Sequence, residues 1–403
     1  MRKSCFQWQL SSRGGLRSDE GSAVGLNRED QTLATQPPSP APEYHDQEKQ
    51  FARAFAAIRE GIARRAFPGA TLAVTHRGSL ITSQGFGHFT YEDSPEVHPE
   101  TVFDVASLTK VVATTAMAML LYERGSLSLD EPLAATLPEF VTLAPKHQQA
   151  ERQRVTLRML LAHSSGLPAY ERLFEFAKTR EELLRAALTA KLTIPGSHAE
   201  YSDLGFILLG EVLEKKAGEP LDRFAEREIF EPLSMSRTRF DPPTEWKPNL
   251  PPTEDDHIFR KRIIQGEVND ENAYVMGGVA GHAGVFAPAT NIARFAECMV
   301  RAGTPIFKPE TVKLFTRRDS TPGTTRALGW DKPSRPVSSS GKYFSDASFG
   351  HLGFTGTSLW IDPEKQLSVT LLTNRTWPDR SAQLIRQVRP RLHDAIVEAL
   401  EGT

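Results

Sequence analysis

Apolar positions recur along the chain with more than one period, and each period predicts an element. In "FARAFAAIREGIARRAF" the residues Phe51, Phe55, Ile58 and Ile62 fall on one face of a helix. "GATLAVTHRGSLITSQGFGHF" then changes to two β-rich runs around His76-Arg77-Gly78, the pattern of a hairpin. A second hairpin is predicted in "TSLWIDPEKQLSVTLLTNR", and "SAQLIRQVRPRLHDAIVEALE" closes the chain as a helix that Pro390 should kink. The middle is mostly helical, in "TLRMLLAHSSG", "DLGFILLGEVLEKKAG" and "PLDRFAEREIFEPL". The stretch "DVASLTKVVATTAMAMLLYERG" reads as one helix whose apolar run, Val111 to Tyr122, has no polar face. That run is too short to span a bilayer and fits a buried helix. Helix and strands at both ends of a helical middle predict an α/β fold. Its antiparallel sheet is flanked by helices and interrupted by a mostly helical insertion over about 105–285.

Composition bounds the reading. With 403 residues, 39% hydrophobic and 24% charged, the chain can bury a large core. A net charge of −2 without a basic stripe argues against nucleic acid as a partner. Residues 1 to about 47 are rich in Ser, Gly, Pro, Gln and charge, and read as a disordered tail and linker ahead of a globular domain over 48–403. The start "MRKSCFQWQLSSRGGLRSDE" is basic but lacks an apolar run of signal-peptide length, which gives an expectation of a cytoplasmic location and no membrane span. Two cysteines, Cys5 and Cys298, cannot build a disulfide framework, and Cys298 in "NIARFAECMVRAG" reads as a small core residue.

Candidate chemistry centres on Ser107 and Lys110. Spaced three apart at a helix start, they share a face one turn apart, within reach of each other. A serine needs a neighbouring base, and a lysine desolvated by apolar surroundings can become one. The helix start also offers N–H groups to a developing oxyanion. Capping is the competing reading. Ser339 and Lys342 in "SSSGK" repeat the spacing, but in a loop with nothing to desolvate the pair. Further along, Tyr201-Ser202-Asp203 precede an apolar helix, with Asp203 as its natural N-cap and Tyr201 free to relay protons. His351-Leu352-Gly353 open a glycine-rich strand in "FGHLGFTGTSLWID", where Gly353 and Gly356 permit close approach of a ligand.

These three groups, Ser107-Leu108-Thr109-Lys110, Tyr201-Ser202-Asp203 and His351-Leu352-Gly353, occur in the order and rough spacing of the serine β-lactamase and penicillin-binding-protein superfamily. The chain most resembles the class C β-lactamase-related branch, with its esterases, D-aminopeptidases and carboxypeptidases. "LLAHSSGLP" and "GGVAGHAGVFAPATNIARF" support the likeness, which covers about 50–400. The resemblance implies a β-lactamase/DD-peptidase-like fold and a two-step serine hydrolase acting on an ester or amide without cofactor or metal. It implies Ser107 as nucleophile, Lys110 and Tyr201 as proton-transfer groups, and the backbone N–H groups of Ser107 and Phe354 as oxyanion hole. Asp203, His351 and Gly353 would contact a small-molecule or peptide substrate. His351 and Leu352 stand where true β-lactamases carry Lys-Thr, so β-lactam hydrolysis should be weak or absent. A penicillin-binding sensor that acylates without efficient turnover is the alternative. The oligomeric state is open.

Other polar groups read more plainly. His163 in "LLAHSSGLP" should tie a helix end to the following turn. His282 in "GGVAGHAG" reads as loop packing, with a cleft-facing role as the other option. Asp270, Glu271 and Asn272 read as solvated turn residues that could also line the substrate entrance or bind a cation. Zinc-type spacings and a Gly-x-Ser-x-Gly elbow are absent from the sequence.

Overall fold

The computed structural model describes residues 44–402, so the expected tail up to residue 43 lies outside the described residues. Tyr44 stacks on Phe51 at 5.9 Å, and a helical turn, Gln47–Gln50, leads into helix α1 (Ala52–Ala63). The first hairpin is strands β1 (Gly69–His76) and β2 (Ser79–Gly87). Its turn places Arg77 at φ 50° and Gly78 at φ 83°, the left-handed conformations that tight hairpins with the right strand twist require.

The stretch read as one helix from Asp104 is four structures. Phe103–Asp104 is extended, Ala106–Leu108 is a 3₁₀ turn, and Lys110–Thr115 is π-helical before α2 (Ala116–Glu123) begins. Two causes act here. Ala106 sits at φ 48°, unfavourable for a residue with a Cβ, so a regular helix cannot include it. Polar side chains of the wide turn are also tied sideways: Thr114 Oγ1 donates to the Gly281 carbonyl (2.7 Å), and Thr109 Oγ1 accepts from the Val285 N–H (3.1 Å). Every residue from Lys110 to Leu121 is buried.

Further on lie α3 (Asp203–Ala217) and α4 (Ala289–Val300), then strands β3 (Phe349–Leu352), β4 (Ser358–Asp362) and β5 (Leu367–Thr373), and the closing helix α5 (Ile385–Glu401). The strands form one antiparallel sheet in the order β2-β1-β5-β4-β3, with Ala70 opposite Thr373 and Val74 opposite Val369 at its centre. Both central strands are buried on both faces, and alternate residues serve different cores. Leu72, Val74 and Leu371 meet Phe55 and Ile58 of α1 and Leu392 and Ile396 of α5. Ala73 and Leu372 face the other way, into the cluster that includes Ile292 and Phe295 of α4 and Val111 to Leu121.

Helix α5 continues through Pro390 without a break. Pro390 lies early in the helix, where it removes a single ladder bond. Cys298 is a buried core residue whose Sγ donates to the Gly303 carbonyl at 3.1 Å, with burial pushing the thiol up to about 12. Among the described residues, no helix is long and apolar enough to cross a membrane.

Candidate active site

The residue pairs named by spacing meet at one end of α3. Lys110 is completely buried, and its ammonium is surrounded by acceptors: Ser107 Oγ at 3.0 Å, the His282 carbonyl at 2.8 Å and Asp203 Oδ1 at 2.7 Å. Tyr201 donates its phenol to the same Ser107 Oγ at 2.8 Å. One serine oxygen therefore takes hydrogen bonds from both groups. Loss of hydration pulls the Lys110 pKa below the ordinary lysine value, and the Asp203 carboxylate opposes this by favouring the ammonium. Burial, reinforced by Asp203, holds the Tyr201 phenol well above its usual value. Tyr201 therefore stands neutral beside the serine.

Asp104 sets the approach to Ser107. It is buried, its Oδ1 accepts from the Ala106 N–H (2.8 Å), and its Oδ2 accepts from the Asn269 N–H (2.7 Å). Burial pushes Asp104 up to about 6, with the two N–H groups pulling the other way. The strained Ala106 is thus held by the residue two positions earlier, and Ser107 projects from a defined corner.

The third group arrives on the sheet edge. Thr355 Oγ1 donates to the Asp104 carbonyl and Thr357 Oγ1 to the Val105 carbonyl, each at 2.9 Å, which locks the β3–β4 turn onto the residues just before Ser107. Gly353 has no room for a side chain: a Cβ would lie 1.9 Å from Thr357 Oγ1 and 2.7 Å from the Val105 carbonyl. The Phe354 carbonyl is held by Arg375 Nε at 3.0 Å, and its ring, half exposed, forms part of the cleft wall. His351 donates from Nδ1 to the Leu352 carbonyl at 2.8 Å, because a carbonyl can only accept. Its Nε2 is then a bare lone pair, buried and unpartnered. Burial lowers His351 to about 4, so the ring is neutral at ordinary pH. Ser107, Tyr201, Asp203, His351, Gly353 and Phe354 all line one cleft of about 550 Å³.

The beta-lactamase family model matches residues 54–391 of this chain. The chain belongs to the beta-lactamase family. Its relatives include the N-acetylmuramyl-L-alanine amidase of Bacillus subtilis (strain 168), 33% identical over 346 residues that cover 77% of each protein. A protein of Escherichia coli (strain K12), provisionally named a D-alanyl-D-alanine carboxypeptidase, is 33% identical over 305 residues, 68% of this chain and 69% of that protein. Among solved structures, the hydrolase EstCE1, described with promiscuous acyltransferase activity, superposes with a TM-score of 0.71 at 22% identity, over 87% of this chain and 99% of that one. The class C beta lactamase of Rhodobacter sphaeroides does so with 0.66 at 22% identity and the same coverage. These likenesses make the chain a beta-lactamase-related serine hydrolase with the family's fold.

Within this beta-lactamase-family cleft, several sequence readings change. Asp203 is not the cap of α3: Ser202 is, its Oγ accepting from the Gly205 N–H at 3.0 Å, which leaves the Asp203 carboxylate free to face Lys110. Asp270, Glu271 and Asn272 are not solvated turn residues. Asp270 and Glu271 line the cleft, and buried Asn272 accepts from the Phe174 N–H (3.1 Å) and donates to the Glu171 carbonyl (2.9 Å). His282 is a packing residue; its Nε2 meets Asp270 Oδ1 at 2.8 Å, and its carbonyl receives Lys110. His163 accepts the Ser202 N–H at 3.0 Å and packs its ring 4.7 Å from that of Tyr201, so it braces the second motif. Lys342 of the second Ser-x-x-Lys pair instead lies over the Tyr343 ring.

Sequence reasoning missed three contributors: Asp104, the Arg326–Asp331 ion pair and Arg380. Arg326 stands 5.3 Å from the Tyr201 ring centroid, while Arg380 donates to Glu271 at 2.6 Å and to Glu254 at 2.8 Å. Asp104 was visible at the head of the first motif. Nothing in "TTRALGW" or "WPDRSAQ" signals the two arginines. Among the described residues, no group of three or more His, Cys, Asp or Glu side chains is arranged to hold a metal ion.

Proposed function

We propose that the chain hydrolyses an ester or amide through an acyl-enzyme on Ser107, as a carboxylesterase or a peptidase of peptidoglycan type. The observation that carries this reading is the double hydrogen bond to Ser107 Oγ from Lys110 and Tyr201. Lys110, its proton affinity weakened by burial, takes the serine proton along the 3.0 Å contact as Oγ attacks the carbonyl. Tyr201, held neutral, carries a proton to the leaving group. The backbone N–H groups of Ser107 and Phe354 receive the oxyanion. Water then attacks the acyl carbon and gives a proton to the Tyr201 oxygen, while the Lys110 ammonium returns its proton to Ser107 Oγ as the acid leaves. The name of the Bacillus subtilis relative supports a cell-wall amide as the substrate. The neutral His351 and Leu352, in the place of a cationic motif, support weak or absent β-lactam hydrolysis.

The test is hydrolysis of p-nitrophenyl acetate by wild type, Ser107→Ala and Tyr201→Phe. The serine variant should lose nearly all turnover. The phenylalanine variant should lose about 10²–10⁴-fold, the usual contribution of a positioned proton donor. Wild-type rates from Ser107→Ala would end the assignment. A stable adduct at Ser107 without turnover would mark a penicillin-binding sensor instead, and steady nitrocefin turnover would refute the argument from His351.

A further inference from the structure

Among the described residues that line the cleft, no cation is left without a carboxylate partner. Of the side chains that line it, four are carboxylates (Asp203, Asp270, Glu271 and Asp331) and two are guanidiniums (Arg326 and Arg380). Each cation is already engaged: Arg326 with Asp331, Arg380 with both Glu271 and Glu254, and the buried Lys110 with Asp203. A second, independent feature points the same way. His351, 1% exposed, presents an unpartnered Nε2 whose tautomer is set by the Nδ1 bond to the Leu352 carbonyl, so it offers an acceptor and no donor.

We propose that this cleft selects acyl compounds whose group beside the scissile bond carries hydrogen-bond donors and no carboxylate, such as an amide N–H or a hydroxyl, and that it discriminates against peptides ending in a free carboxylate there. The proposal rests on the serine-hydrolase reading above and narrows its substrate class. A substrate carboxylate would have to displace one of the existing ion-pair partners or lie unpaired among like charges, and both are costly in a desolvated site. A donor can satisfy the His351 lone pair, which otherwise stays buried without a partner. An amide within a longer chain, such as a peptide–sugar link or an amidated terminus, meets this requirement. A terminal D-amino acid does not.

The test compares two compounds that differ at one group, N-acetyl-D-alanyl-D-alanine and N-acetyl-D-alanyl-D-alaninamide. Each is measured as a competitor of p-nitrophenyl acetate hydrolysis by the full chain, so a value is obtained whether or not the compound is cleaved. The amide should half-inhibit at a concentration at least about tenfold lower than the free acid, roughly 1.4 kcal/mol. Equal potency, no inhibition by either, or stronger inhibition by the acid overturns the proposal. Asp331→Asn, which releases the Arg326 guanidinium, should narrow the ratio toward the acid. An unchanged ratio would refute ion pairing as its cause. Failure of the underlying reading shows separately, as ester hydrolysis that is absent or that survives Ser107→Ala.

Discussion

At the scale of single residues, burial of Lys110 and its contact with Asp203 act in opposite directions on how the lysine titrates. The two lie 2.7 Å apart, with the lysine fully buried. Burial lowers the proton affinity of Lys110 and the carboxylate raises it. Asp203→Asn removes the raising influence and leaves the desolvation. A base that must be neutral to act would then work at lower pH, so the acid limb of kcat/KM should move to lower pH. An acid limb that stays in place would show that Lys110 acts only as an ammonium. Ser107 and Lys110 were legible as a pair because a spacing of three puts them one helical turn apart, and Tyr201 through its place ahead of an apolar helix and the family resemblance of its motif. Asp203 was misread for a physical reason. Two side chains able to cap stand side by side at the start of α3, and only the backbone geometry decides that Ser202 takes the N–H of Gly205. The released carboxylate then meets a lysine 93 positions earlier, a contact without local signature.

At the scale of elements, both hairpins and the terminal helices follow from periodicity, and the structure reproduces them. The helical stretch that carries Ser107 and Lys110 does not. A continuous apolar run cannot distinguish an α-helix from a π-helical one, because burial on all sides erases the phase that periodicity measures. What widens the turn is outside it: the Gly281–Val285 strip, fastened by Thr109, Lys110 and Thr114. The β3–β4 turn is constrained in the same way. Gly353→Ala would push a methyl group into Thr357 Oγ1 and the Val105 carbonyl, so it should lower stability by about 1–3 kcal/mol and displace the residues ahead of Ser107. Urea denaturation and p-nitrophenyl acetate turnover should both report the loss. A variant with wild-type values in both would show that the turn is not locked to the residues ahead of Ser107.

At the scale of the whole molecule, three buried histidines link stability to pH. His163, His351 and His393 are all desolvated and all have lowered proton affinity, with His351 and His393 brought to about 4. The unfolded chain protonates histidine near 6.5, so between about 6.5 and 4 the unfolded state binds more protons than the folded one. The stabilising preference for neutral rings is complete above that window and is lost as pH falls through it. His393 lies away from the cleft and donates Nδ1 to the Ser339 carbonyl at 2.8 Å, a bond that an asparagine amide can replace. His393→Asn should therefore remove up to about 3 kcal/mol of the acid-dependent loss. The fall in Tm between pH 7 and 4.5 should become shallower. A fall parallel to that of wild type would mean that His393 does not resist protonation in the folded protein.

Taken alone, the sequence determined the hairpins, the buried apolar run, the fold class and the three motifs. Each of these is encoded within a few turns or strands, where the spacing of side chains is set by the chain itself. Tertiary structure alone decided what the motifs face. The sheet order β2-β1-β5-β4-β3 brings His351 across more than 200 positions to the cleft that holds Ser107, the insertion delivers Asp270 to its walls, and the segment between α4 and β3 delivers Arg326. Charge pairing depends on distances of a few ångströms through space, which sequence separation does not report. That pairing decides that, among the described residues, every cation lining the cleft is already matched by a carboxylate, as is the buried Lys110 beside Ser107.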